Sequence, residues 1–182
     1  MTTLYRVFPW LEGARRSQSG HPSFVPGGGA GRIDNPEHYS ALYLSDGPGG
    51  ACAEAFFFKA VWDAKMLRGS PSLPGSAQAI ATFEMEPVVQ VCDLDDASRL
   101  VALDLRPSQV VTRDRRVTQA WALQIFQQQR FGGIRWWSYH DPRWGSHGMW
   151  ATDSLQLRGV EPLTLDHVAV TEAAAVLNRR IA

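Results

Sequence analysis

Residues 117–139, VTQAWALQIFQQQRFGGIRWWSY, decide the fold class. Ala120, Leu123 and then Phe126 or Gln127 recur at helical spacing, and Gly132 closes the run. GIRWWSY (133–139) then reads as a strand. Further strands are expected upstream in LYRVF (4–8), ALYLS (41–45), AIATFEME (79–86) and VVQVCDL (88–94), and downstream in GMWATD (148–153) and SLQLRGVEPLTL (154–165). A second substantial helix is expected from about Gly50 to Leu67, ASRLVAL (97–103) is a short helix or irregular, and TEAAAVLNRRIA (171–182) is a closing helix or a frayed tail. Strands dominate and do not alternate with helices as βαβα. The pattern therefore predicts an α+β fold with a mixed or antiparallel sheet, and not a doubly wound one.

The chain of 182 residues suits one domain spanning 1–182, with its core over about 4–165. Apolar residues make up 45% and charged residues 20%, ordinary for a globular protein, and the formal net charge is zero. No overall field draws the chain to nucleic acid or to an anionic membrane. The cations are sixteen Arg against two Lys, Lys59 and Lys65; each Arg offers a bidentate fork for phosphate or carboxylate. Cys52 and Cys92 stand apart without a CxxC pair, which fits buried thiols in a reducing compartment. The start MTTLYRVFPWLEGARR lacks the pattern of a signal peptide, and no run approaches a membrane span, so a cytoplasmic protein is expected.

GGACAEAFFFKAVW (49–62) holds one isolated carboxylate. On a helix Glu54 has Gly50, Ala51, Phe57 and Phe58 as neighbours, and none can neutralise it. Such a group either reaches water or is kept where positive charge develops, because burying it unpaired is costly. PGGGAGR (26–32) ends a long Gly-, Ser- and Pro-rich loop on Arg32, where glycines permit close approach and the guanidinium can grip a phosphate. It is neither a Walker loop nor a GxGxxG turn. Tyr43 faces away from Leu42 and Leu44, either packing in a half-buried sheet or offering a platform for a flat heterocycle. Ser138 closes an apolar strand without a GxSxG context and reads as a hydrogen-bonding residue. His140, Asp141 and His147 match no common zinc spacing, so no metal is expected.

In their order and spacing these pieces resemble the RES domain family: YR at 5–6, GGAGR ending at Arg32, ALYLS with Tyr43, CAEAFF with Glu54, and GGIRWWS with Ser138. GRIDN (31–35) departs from the Gly-Arg-Trp-Asn run common in the family, with Ile33 in place of the aromatic. The resemblance implies a fold similar to ADP-ribosyltransferases and an enzyme with NAD as substrate. The bond cleaved would be that between nicotinamide and ribose, with water, phosphate or a macromolecule as acceptor. It implies Glu54, Arg32 and Tyr43 as catalytic residues, with Arg32, Tyr43, Ser138 and Arg6 binding substrate. It further implies a toxin held by an antitoxin with an Xre-type DNA-binding domain, without direct nucleic-acid binding; the oligomeric state is open, a homodimer included. Two alternatives stand beside it: an inactive nucleotide-binding module, and an interaction domain anchored by Trp136, Trp137, Trp144 and Trp150.

Overall fold

A computed structural model describes residues 1–182. The long strand β1 (Thr2–Trp10) pairs antiparallel with β4 (Ala77–Met85) along its whole length, and β4 pairs in turn with β8 (Leu155–Pro162). On its other side β1 meets β2 (Leu42–Ser45), followed by β7 (Gly145–Met149), β6 (Gly133–Trp137) and β5 (Val91–Asp93). Only the β5–β6 pair is parallel, so the seven-stranded sheet is mixed and mostly antiparallel, as the strand-rich order predicts. A separate parallel pair joins β3 (Val61–Trp62) to β9 (Arg180–Ile181).

One face of the sheet carries two helical layers. Helices α1 (Pro48–Phe56) and α5 (Val168–Val176) pack against Tyr5, Val7 and Ile80 and enclose Cys52, Phe56, Trp62 and Trp144. Helix α4 (Arg115–Gln127), with the short α2 (Ala97–Ala102) and α3 (Pro107–Val110), covers Ile134 and Trp136 through Trp121, Ala122 and Ile125. The opposite face buries Leu4, Phe8, Leu42, Leu44, Phe83 and Met149. Cross-strand partners share a face, so Tyr5, Ser45, Ser146 and Trp136 form one row. Tyr43 and Gly148 lie beside that row, on the helical side and between the two layers.

Local rules explain most elements. Asp114 caps α4 by accepting from the Arg116 N–H, and Asp96 caps α2 through the Ser98 N–H. The helix expected over 50–67 stops at Phe56. The chain turns there so that Trp62, fully buried, can meet Phe56 edge-on at 5.9 Å; a continued helix would carry that indole off the core. Residues 64–67 form only a 3-10 turn capped by Asp63. The closing segment is neither frayed nor wholly helical: α5 docks through Ala169, Val170, Ala173 and Ala174, then yields to β9. In α1 Gly50 is required by contact, since a Cβ there would collide with Ser45 Oγ and the Trp144 ring.

Candidate active site

Glu54 sits near the end of α1, where the helix crosses the row of small polar residues on β2 and β7. Its Oε1 accepts a hydrogen bond from Ser138 Oγ at 3.0 Å and from Ser146 Oγ at 3.4 Å. Its Oε2 lies 3.9 Å from His140 Nε2. Ser138 is 3% exposed and Ser146 6%, whereas the Glu54 side chain is 46% exposed. The carboxylate is therefore anchored from beneath and open above. One carboxylate oxygen is tied to two hydroxyls while the side chain still reaches water. Polar anchoring supplies what the apolar helix neighbours cannot.

Arg32 belongs to the loop that lies over α4. Its Nη1 donates to the carbonyls of Val110 (2.6 Å) and Thr112 (3.0 Å), and its own carbonyl accepts from Thr118 Oγ1 at 2.5 Å. No carboxylate pairs with this guanidinium, and Nη2 and Nε remain unengaged by protein. Burial lowers its pKa first, the neighbouring Arg115 lowers it further, and the fields of Glu54 and Tyr43 oppose both. An arginine held by carbonyls and left without a counter-anion is suited to an anionic ligand.

Asp34, absent from the sequence-level candidates, organises this loop. Its Oδ2 accepts from the N–H groups of Gly31 (2.7 Å) and Gly29 (3.1 Å), and its Oδ1 accepts from the Tyr43 hydroxyl at 2.6 Å. Tyr43 in turn accepts from the Ile33 N–H at 3.0 Å. Burial, then the bond to Asp34, raises the Tyr43 hydroxyl far above its ordinary pKa, so it remains a donor. Gln119 on α4 completes the clamp by donating to the carbonyls of Gly29 (2.8 Å) and Gly31 (2.9 Å). The Tyr39 hydroxyl bonds the Ile33 carbonyl. Ile33, where the family commonly carries an aromatic, is fully buried over Gly148, with no room for a Cβ beneath it.

The fold thus gathers Glu54, Ser138, Arg32 and Tyr43 on one side of the sheet. Tyr43 has its hydroxyl in the Arg32 loop and its ring edge-on to Trp136 at 6.4 Å. Ser138 lies buried behind Glu54. Arg6 is placed apart from all four. It alternates with Tyr5 and so faces the other side of β1, where Nη1 donates to the carbonyls of Pro22 (2.5 Å) and Phe24 (2.8 Å). There it pins the long loop.

Besides Asp34, sequence reasoning missed Ser146, which sits in a strand of Gly, Ser and His, and the placement of His140 beside Glu54. His140, Asp141 and His147 do not converge: Asp141 pairs with Arg143, and His147 lies on the far face near Asp46 and Arg135. Trp136 and Trp144 are buried, while Trp137 and Trp150 pack against the α4 core, so the tryptophans are spent inside the fold. A shallow surface groove of about 650 Å³ near Leu103, Gln109 and Trp121 includes none of the gathered residues. No helix is long and apolar enough to cross a membrane.

Comparison with known proteins places the chain in a family and matches its fold. Residues 3–163 match the family model described as the RES domain, and the chain belongs to the RES domain family. Its fold is similar to that of a chain in the crystal structure of the M. tuberculosis MbcT–MbcA toxin–antitoxin complex. The TM-score is 0.66 and the identity 18%, over 94% of this chain and 88% of that one. No curated protein sequence matches significantly.

Proposed function

We propose that this protein is an NAD-consuming enzyme that breaks the bond between nicotinamide and ribose, and that it is the toxin of a toxin–antitoxin pair. The observation that carries the reading is the pairing of a hydroxyl-anchored, open carboxylate, Glu54, with an arginine that has no counter-anion, Arg32. Departure of nicotinamide leaves positive charge on the ribose, the same demand that glycosidases meet with carboxylates. Glu54 answers it electrostatically, and needs no reorganisation because Ser138 and Ser146 already hold it. Arg32 grips the pyrophosphate and so fixes the ribose against Glu54. Tyr43 and Asp34 serve by keeping the Arg32 loop in place.

Membership of the RES family and likeness to a chain of a toxin–antitoxin complex support a toxin whose partner is an antitoxin, with an Xre-type DNA-binding domain as the expected form. Two buried free thiols, Cys52 and Cys92, suit a reducing cytoplasm, where NAD is plentiful. The test is incubation of purified protein with NAD and separation of free ADP-ribose, ADP-ribose phosphate and modified protein. Nicotinamide release by the wild type and its loss in a folded Glu54→Gln variant are expected. Full turnover by that variant overturns the assignment.

A further inference from the structure

His140 is a polar side chain beside Glu54 that neither the family motif nor the proposed roles employ. Its position is tightly specified. The backbone N–H donates to Ser138 Oγ at 3.2 Å, the ring lies against Phe57 at 4.7 Å and 39°, and Tyr139 meets it edge-on at 5.8 Å. Accepting that N–H directs the Ser138 hydroxyl hydrogen toward Glu54, so one short segment orients the imidazole and the carboxylate together. Only 10% of the His140 side chain is exposed. Nε2 and Glu54 Oε2 are 3.9 Å apart, too far to be hydrogen-bonded to each other and near enough to hold one ligand atom between them.

Other charged groups around the ring are already committed or turned away. Asp141 is tied to Arg143, Arg113 lies over the Tyr139 ring at 5.4 Å, and Lys59 lies over Phe58 at 5.1 Å. Arg32, which feels the field of Glu54, is tied to the carbonyls of Val110 and Thr112. Glu54 is thus the carboxylate that His140 meets.

We infer that His140 is the general base that takes the proton of the acceptor hydroxyl as it attacks the ribose. This rests on the NAD-consuming reading. With water as acceptor, the C–N bond to nicotinamide breaks and its electron pair leaves with neutral nicotinamide. A C–O bond forms from the water oxygen, and one water proton passes to Nε2 and then to solvent. The Glu54 carboxylate faces first the ribose cation and then the imidazolium 3.9 Å away. Imidazole suits this work because its ordinary charge change falls near neutral pH.

The experiment follows nicotinamide release from NAD against pH for the wild type, His140→Phe and His140→Ala. Phe keeps a ring against Phe57, and thermal melts check that both variants fold. The wild type should lose kcat/KM toward acid as the base protonates. His140→Phe should be slower by roughly 10²-fold or more and lose that acid limb, and imidazole added to His140→Ala should restore part of the rate. A variant that keeps full rate, or one that is slower with the acid limb intact and no imidazole rescue, overturns the role of His140 alone. A wild type that releases no nicotinamide overturns both readings.

Discussion

Replacing Tyr43 by Phe separates two roles for this ring. A stacking platform would lose little, since the ring remains. The observed hydroxyl instead joins Asp34 Oδ1 (2.6 Å) to the Ile33 N–H (3.0 Å). Ile33 is fully buried, so its N–H would be left without a partner; Asp34 is half-buried and water can reach its freed oxygen. Leaving one buried donor unpaired costs about 1–3 kcal/mol, and a central value of about 2 kcal/mol is expected for Tyr43→Phe. At this chain length that lowers the melting temperature by roughly 4–8 °C. Chemical denaturation of Tyr43→Phe, Asp34→Ala and the double variant closes a cycle whose coupling should be about 1–2 kcal/mol, because the shared bond has a charged acceptor. NAD consumption should fall with the displacement of Arg32. Coupling below about 0.3 kcal/mol, together with unchanged stability in Tyr43→Phe, would refute the clamp.

His147 makes stability depend on pH. Burial pulls its pKa down from 6.5 to about 4, and both ring nitrogens lack partners. The folded chain keeps it neutral while the unfolded chain takes up a proton. Its contribution is whole above pH 6.5 and is lost as pH falls toward 4, by at most about 3 kcal/mol. Unfolding free energies of the wild type and His147→Gln should converge across that window. Gly148→Val would drive a side chain into Ile33 and Trp136, costing about 1–3 kcal/mol and weakening NAD turnover through the Arg32 loop, as denaturation and nicotinamide release would register. Arg6→Met frees the carbonyls of Pro22 and Phe24; limited proteolysis should cut within residues 13–31 sooner than in the wild type.

What could be read in the sequence was what local rules govern. Helix α4 is framed by Asp114 and carries an apolar stripe, and β1, β2, β4 and β6 have aromatic or branched residues in short runs. Strand β7 is legible only at its end: a strand is expected over GMWATD (148–153), whereas β7 spans Gly145–Met149. GSHGM has poor strand propensity, yet all five residues are buried near the middle of the sheet. Tertiary contact explains the choice: Gly148 leaves room for Ile33, and Ser146 reaches Glu54. Asp34 was equally unreadable, because a carboxylate in a glycine-rich loop looks like an ordinary solvated charge until its partners at 29, 31 and 43 come together. Glu54, Arg32, Tyr43 and Ser138 could be named through the family motif, but the motif did not say that Ser138 stands behind the carboxylate.

The anchoring of Glu54 also sets a timetable. Its two hydroxyl partners lie 84 and 92 residues further along the chain. Helix α1 is therefore made long before the hairpin that completes its site. A nascent chain still lacking that hairpin carries the carboxylate without its support, so the site is completed late in synthesis.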